Sequence, residues 1–188
     1  MRGAVLTGVL GWVMSLALKD SLSNFAAGVM LVIFRPFTKG DFVEVAGTSG
    51  TVDEVWLVST KLVTPDNKEI IIPNATIWAD SITNYSARDT RRVDMTFGVG
   101  YNDDLKLAAD VLREVCESHE KVLQDPGVNI FVSNLGASSV DFSVRPWVKT
   151  ADYWGVFADI NKSAKEALDA AGLNIPYPQM DIHHHNAD

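Results

Sequence analysis

The residues from which a reactive site could be assembled are few: four histidines, one cysteine and one adjacent aspartate pair that opens a helix. His119 falls at the expected end of that helix, where exposure to solvent is anticipated, and His183, His184 and His185 form a run near the C-terminus that reads as a surface tail. Cys116 is the single cysteine, which excludes an internal disulfide and a multi-cysteine zinc site, and it reads as a half-buried small residue. Asp103-Asp104 precedes a run with helical apolar spacing, where carboxylates favour the positive end of the helix dipole over acid–base work. Neither a glycine-rich phosphate loop nor a Ser, His, Asp set at hydrolase spacing is present. The chain is therefore not expected to be an enzyme, or to hold a cofactor or a metal.

The elements that would position such residues divide the chain into two solvents. Residues 1–34 hold only Arg2, Lys19 and Asp20 as charges, while the remainder carries 14 basic and 23 acidic residues. The overall charge of −8 opposes wrapping of a phosphate backbone, so no nucleic-acid partner is expected. Gly3 to Leu18 is free of charge, and as a helix it would be about 24 Å long, slightly short of a bilayer core. Lys19 and Asp20, followed by a second uncharged stretch from Ser21 to Phe34, argue against a cleaved signal peptide.

Ala4, Gly8, Gly11 and Ser15 recur at steps of four, three and four, which places small residues on one helical stripe. Helices that pack against each other in membranes use such stripes to bring backbones close. A neighbouring stripe, Val5, Val9, Trp12 and Leu16, carries the bulk. A buried hairpin helix of a soluble protein is the alternative. A break is expected at Asp20 or Ser21, by capping of a second, amphipathic helix with Leu22, Phe25, Ala26, Val29, Met30 and Ile33 as its apolar side. Arg35-Pro36 should end that helix.

Behind it, short β-rich runs are separated by turn chemistry at Gly47-Thr48-Ser49-Gly50, Pro65-Asp66-Asn67 and Pro73-Asn74. Five strands, Phe42 to Ala46, Thr51 to Leu57, Ser59 to Thr64, Lys68 to Ile72 and Ser81 to Ser86, suit a small five-stranded, Sm-like barrel. From Arg91, the alternation of Val93, Met95, Phe97 and Val99 predicts a half-buried strand, followed by a helix capped by Asn102 or Asp103 and running to about Ser118. Strands at Val128 to Val132 and Ser139 to Val148 come next. A helix over Ala151 to Ala171 follows, with Tyr153, Trp154, Phe157, Ile160, Ala164, Leu168 and Ala171 inward, then Gly172 and a strand at Leu173 to Ile175. Strand, helix, strand, strand, helix, strand is the ferredoxin-like split βαβ order, which makes the body α+β.

Several strings then resemble one family, the small-conductance mechanosensitive (MscS-like) channels: Ser21-Leu22-Ser23-Asn24-Phe25-Ala26-Ala27-Gly28, Phe34-Arg35-Pro36-Phe37, Lys39-Gly40-Asp41 and Gly50-Thr51-Val52. Ile72-Pro73-Asn74, Leu135-Gly136-Ala137-Ser138-Ser139 and Pro176-Tyr177-Pro178-Gln179-Met180 continue the pattern in the same order, so that the similarity runs from about Gly3 to Ile182. The resemblance implies a homoheptamer in the inner membrane: a pore helix and kinked helix (1–36), a β domain (37–87), an αβ domain forming a cytoplasmic vestibule (88–176), and a C-terminal strand and tail (177–188) closing a small barrel. Membrane tension would open it to ions and small solutes in hypoosmotic shock, with membrane lipids as partners. It further places Trp12 and Leu16 at the rings of pore-constricting leucines and Ala4, Gly8, Gly11 and Ser15 on the packing faces. Asp20 stands where the family commonly has glycine, so Asp20 or Ser21 would supply the bend, with Gly28 a second flexible point. The family's lipid-facing helices have no counterpart before Gly3, so the chain reads as part of a longer channel or as a minimal form. A heptameric scaffold without conduction and an acylphosphatase-like enzyme on the split βαβ module are the competing classes.

Overall fold

A long uncharged-to-apolar run and two sets of short alternating strands build two compact units, the first ending at Arg88 and the second beginning at Asp89. The structure, a computed structural model, describes the backbone of residues 2–182 and the side chains of residues 18–182. The first unit contains helix α1 (Arg2–Phe34), strands β1 (Phe42–Val45), β2 (Thr48–Val55), β3 (Ser59–Val63) and β4 (Glu69–Pro73), the short helix α2 (Asn74–Trp78) and β5 (Ile82–Asn84). The second contains β6 (Thr90–Arg92), β7 (Met95–Val99), helix α3 (Leu105–Glu117), β8 (Asn129–Leu135), β9 (Val140–Arg145), β10 (Trp147–Lys149), a 3₁₀ turn and helix α4 (Tyr153–Ala170).

Helix α1 is helical without interruption through Asp20, Ser21 and Gly28, so the break expected at Asp20 or Ser21 is absent. Asn24 explains part of the continuity, because its Nδ2 donates to the Asp20 carbonyl at 2.9 Å, one turn back. The helix ends where Arg35-Pro36 requires. Arg35 takes a left-handed φ of 46°, its N donates to Leu31 O at 3.0 Å, and its Nε donates to Val32 O at 3.3 Å.

The five strands of the first unit pair in the order β4-β3-β2-β1-β5, all antiparallel. No ladder joins β4 to β5, so by hydrogen bonding the expected closed barrel is an open five-stranded sheet. The β1–β2 hairpin turns on Ala46 and Gly47, both at positive φ (50° and 71°), with Val45 opposite Thr48. Thr48, Ser49 and Gly50, expected in the turn, are therefore strand residues, because the two-residue loop with both positions left-handed matches the twist of the strands. Val43, Val45, Val52, Leu62, Ile72 and Ile77 form the core.

In the second unit β9 lies between β7 and β8, antiparallel to both, which is the split βαβ order for three of its strands. Val93, Met95, Phe97 and Val99 are all buried, as their alternation predicts. The expected strand from Ser139 to Val148 is cut at Pro146, which has no N–H for the ladder, and β10 leaves to pair with β6. No strand forms at Leu173 to Ile175; one backbone bond, Gly100 N to Asn174 O at 2.9 Å, and the carboxylate of Asp103 hold this segment instead. Residues 177–182 have no regular secondary structure in the single chain.

Helix α3 is capped by Asp104, whose Oδ1 accepts from Lys106 N and Leu107 N at 2.9 and 3.1 Å, one residue after the expected cap. It buries Ala108, Leu112 and Cys116 against the sheet, while Leu105 is exposed. Helix α4 buries Val156, Ile160, Ala164 and Leu168, with Tyr153 and Phe157 packed beside them. Trp154, expected inside, is 71% exposed, because the helix starts after a 3₁₀ turn that rotates the first turn and brings Val156 inward. Gly172, at φ 72°, closes α4: its N donates to Asp169 O and Leu173 N to Leu168 O, both at 3.0 Å, a Schellman pair. Replacing Asp104 by Ala removes two accepted bonds at the α3 N-terminus and is expected to cost about 1 kcal/mol, read as a lowered midpoint in denaturant unfolding.

Candidate functional site

The sequence places an asparagine, an alanine, a glycine and a leucine at i, i+3, i+4 and i+7 near the end of α1, namely Asn24, Ala27, Gly28 and Leu31. This narrow stripe is the side of α1 that meets the β unit: Ala27 and Leu31 are buried, and Gly28 is buried against the backbone between β2 and β3. A side-chain carbon on Gly28 would overlap the Leu57 carbonyl and lie 2.7 Å from Asn74 Nδ2. Gly28 is thus a point of close approach within a continuous helix.

Beneath Gly28 lies Asn74, fully buried at the first position of α2. A buried amide must be satisfied, and this one is. Its Oδ1 accepts from the buried Thr60 hydroxyl at 2.8 Å, its Nδ2 donates to Trp56 O at 2.9 Å, and its backbone N donates to Val58 O at 3.0 Å. The cap position of α2 is Pro73, which provides no side-chain cap. Asn24 of α1 provides one instead, its Oδ1 accepting from Ala75 N at 2.9 Å. The sequence marked Asn24 only within a family string and Asn74 as turn chemistry, and gave Thr60 and Trp56 no role in the site; the signal available was an asparagine inside an otherwise apolar helical stretch and a Pro-Asn pair after a strand.

The opposite side of α1 is uncovered. Leu22 and Ile33 are 67% and 65% exposed, and Leu18, Phe25, Val32 and Phe34 are exposed as well. The expected apolar side, Leu22, Phe25, Ala26, Val29, Met30 and Ile33, is thus largely the side left open, because contact with a backbone selects small residues and leaves the large ones outward. Among the described residues no helix is long and apolar enough to cross a membrane. Trp12 and Leu16, expected at the gate, and Ala4, Gly8, Gly11 and Ser15, expected at packing faces, lie outside the residues whose side chains are described; His183, His184 and His185 lie outside the described residues altogether.

In the second unit two of the quoted strings come together: Gln179 N donates to Ser138 Oγ at 2.9 Å. The loop holding Ser138 is fixed by Tyr101 OH to Gly136 O at 2.6 Å. Asp141 accepts from Ser139 Oγ at 2.7 Å and from Asn134 Nδ2 at 2.9 Å, and these two bonds, in that order, hold its carboxyl below the ordinary aspartate value of 3.8. His119 is largely covered rather than exposed, at 17% of its side chain, with Nε2 3.4 Å from Asp159 Oδ2 and Nδ1 accepting from Lys121 N at 3.2 Å. Cys116 is fully buried rather than half-buried, and burial pushes its thiol up to about 12. Among the described residues no cluster of acidic, histidine or cysteine side chains could hold a metal ion. The arrangement is a helix fastened to a β unit along one side and apolar along the other.

The model of the mechanosensitive ion channel β-domain matches residues 20–87, and that of the mechanosensitive ion channel MscS C-terminal region matches residues 93–175. A small-conductance mechanosensitive channel of Edwardsiella ictaluri is 46% identical over 177 residues, 94% of this chain and 62% of the relative. One from Helicobacter pylori is 34% identical over 96% of this chain and 66% of its own length. The crystal structure of Helicobacter pylori MscS in its closed state superposes with a TM-score of 0.93 at 32% identity, covering all of this chain and 74% of that one. The chain belongs to the small-conductance mechanosensitive channel (MscS) family. It spans about three fifths of the length of the Edwardsiella relative.

Two outcomes follow from the geometry. Gly28→Ala forces α1 off the β2–β3 backbone and is expected to cost about 1–3 kcal/mol, seen as accelerated hydrogen exchange at Ala75 N while amides of α4 keep their rates. The carboxylate of Asp141 has a depressed value in the folded chain, so its contribution is complete above about 3.8 and disappears as pH falls through the lower folded value. Asp141→Asn should therefore flatten the acid limb of a plot of melting temperature against pH and leave its neutral region least changed in slope.

Proposed function

We propose that the chain is the pore-forming and vestibule part of a homoheptameric channel in the cell's inner membrane, opened by tension to release ions and small solutes in hypoosmotic shock. Residues after about 35 lie in the cytoplasm. The observation that carries this reading is the two-sidedness of α1: one stripe is locked to the β unit through Gly28 and Asn24, while Leu18, Leu22, Phe25 and Ile33 are exposed among the described residues. Apolar bulk on the outside of a helix fits lipid or copies of the same helix. The relatives are mechanosensitive channels by name, which supports the same class.

In this reading the N-terminal part of α1 lines the pore. Leu16 and, more loosely, Trp12 ring the axis, and the small side chains of Ala4, Gly8, Gly11 and Ser15 let neighbouring helices touch. A narrow apolar ring excludes water, and a slight widening rewets it without breaking a bond. Because Asn24 and Gly28 tie α1 to the sheet, the β unit has to follow any displacement of the helix. One observation favours a second reading, a membrane-anchored heptameric scaffold without conduction: no helix among the described residues is long and apolar enough to cross a membrane.

Recording from membrane patches separates the two. Leu16→Ser should wet the constriction, giving leak current at rest and a lower opening tension; unchanged opening tension with no leak overturns the gate, and no tension-activated current in the parent protein favours the scaffold. Seven copies carrying −8 each place about −56 around a vestibule, which concentrates counter-ions. Cations should be preferred, and a reversal potential with clear anion preference would contradict this.

A further inference from the structure

Between the end of α1 and the edge of β2 lies a pocket of about 540 Å³, within the usual ~300–1,000 Å³ of small-molecule sites. Its two walls differ in charge. The wall from α1 and the connection after it offers Leu31, Val32, Arg35 and Lys39; the wall from the end of β2 and the residue after it offers Asp53, Glu54 and Trp56. Asp53 is satisfied within the protein, bound by Lys61 at 2.6 Å and by Lys39 at 3.3 Å, which also closes the two walls together. These lysines, through hydrogen bonds, hold its carboxyl below 3.8.

What remains open is one cation and one anion. Arg35 spends only its Nε, on Val32 O, and its guanidinium has no ion pair among the described residues. Glu54 Oε2 accepts from Trp56 Nε1 at 2.8 Å, and the rest of that carboxylate has no ion pair among the described residues. The indole is 41% exposed and already tolerates a cation, with Lys61 Nζ 5.9 Å from its centroid. A ligand with a single negative charge would leave Glu54 facing it; a single positive charge would face Arg35. A zwitterion meets both. Leu31 and Val32 make the α1 side of the lining apolar, and Val32 is 55% exposed at the rim, so the ligand's other end is hydrocarbon. A cation, an indole and an apolar slope at one level is the composition of a membrane–water boundary.

We propose that this pocket seats the headgroup of a zwitterionic phospholipid of the phosphatidylethanolamine type: phosphate on the Arg35 guanidinium, ammonium on Glu54 and the Trp56 face, and acyl chain leaving along Val32. The proposal rests on the membrane placement of α1 argued above but not on conduction. Such a lipid would occupy the joint between the helix and the β unit, so its affinity couples to the position of α1.

The test uses the full chain in detergent with 5-fluorotryptophan at its five tryptophans, the Trp56 fluorine resonance being assigned with Trp56→Phe. Titration with dihexanoyl phosphatidylethanolamine should shift the Trp56 resonance saturably and leave that of Trp154 still. Dihexanoyl phosphatidylglycerol and free phosphoethanolamine should each bind about tenfold more weakly, the first for want of an ammonium and the second for want of chains. Arg35→Gln and Glu54→Gln should each weaken binding about tenfold, and Arg35→Lys should restore part of it; the other four resonances report whether each variant is folded. The proposal is overturned by a Trp56 resonance that does not move. It is equally overturned by phosphatidylglycerol binding as tightly, which means charge attraction alone, by phosphoethanolamine binding as tightly, which means a soluble ligand, or by folded variants with unchanged affinity. Patch recordings decide the channel reading separately, since tension-activated current does not depend on any of these shifts.

Discussion

Everything else in the first unit depends on a helix backbone lying directly on a loop backbone. Gly28 has no side chain, and this lets α1 descend onto the Leu57 carbonyl, close enough for Asn24 to reach Ala75 N and for Leu31 and Ala27 to join the core below. The floor of that contact is a single amide, Asn74, which ties three segments through the Thr60 hydroxyl, the Trp56 carbonyl and its own backbone bond to Val58. Polar groups this deep are costly when a partner is lost, by about 1–3 kcal/mol each. The joint is therefore rigid because its polar groups are fully used, not because the apolar contact is large. A narrow stripe of four residues does the fastening, and the larger side chains are released for other surfaces.

This division of labour explains which features were legible in the sequence. The five strands of the first unit overlap the runs between the turn residues, with β2 beginning at Thr48 inside an expected turn, and the strand over Met95–Val99 is found where alternation places it, since period two is a direct trace of a half-buried sheet. The orientation of α1 was not legible by the same means. Periodicity finds the apolar side with Leu22, Phe25 and Ile33 but not which side meets the β unit: the neighbour there is a backbone, and only small side chains fit. Likewise Asp20-Ser21 has the chemistry of a helix cap, yet a cap acts only where the helix already has a reason to stop, and α1 runs through both residues, with the Asn24 side chain adding a second donor to the Asp20 carbonyl. Of the resemblance, the chain's membership of the family and the joining of its Ser138 and Gln179 strings are observed, while the constriction by Trp12 and Leu16 belongs to the proposed function.

In the second unit two aspartates replace what regular structure would have supplied. Asp103 accepts from Gly100 N and Asn174 N, at 2.8 and 2.9 Å, and with the single backbone bond beside it fastens the chain along the edge of β7 without a ladder. Asp141 gathers Ser139 and Asn134 across the β8–β9 hairpin. Neither role has a periodic signature, because a carboxylate can collect amides from any direction; sequence reading saw in Asp103 only a helix start, and the strand expected at Leu173 to Ile175 was inferred from hydrophobicity that serves to bury Leu173 alone.

The depth of Cys116 has a practical side. The one thiol of the chain sits buried at the C-terminal end of the α3 packing face, with burial pushing it up to about 12. Maleimides and spin labels react with exposed thiolates, so they pass over the folded native chain. A cysteine introduced on the outer surface of α1 or in a loop would consequently be the sole point of attachment, and distances or mobilities measured there would carry no background until the helix pair itself came apart.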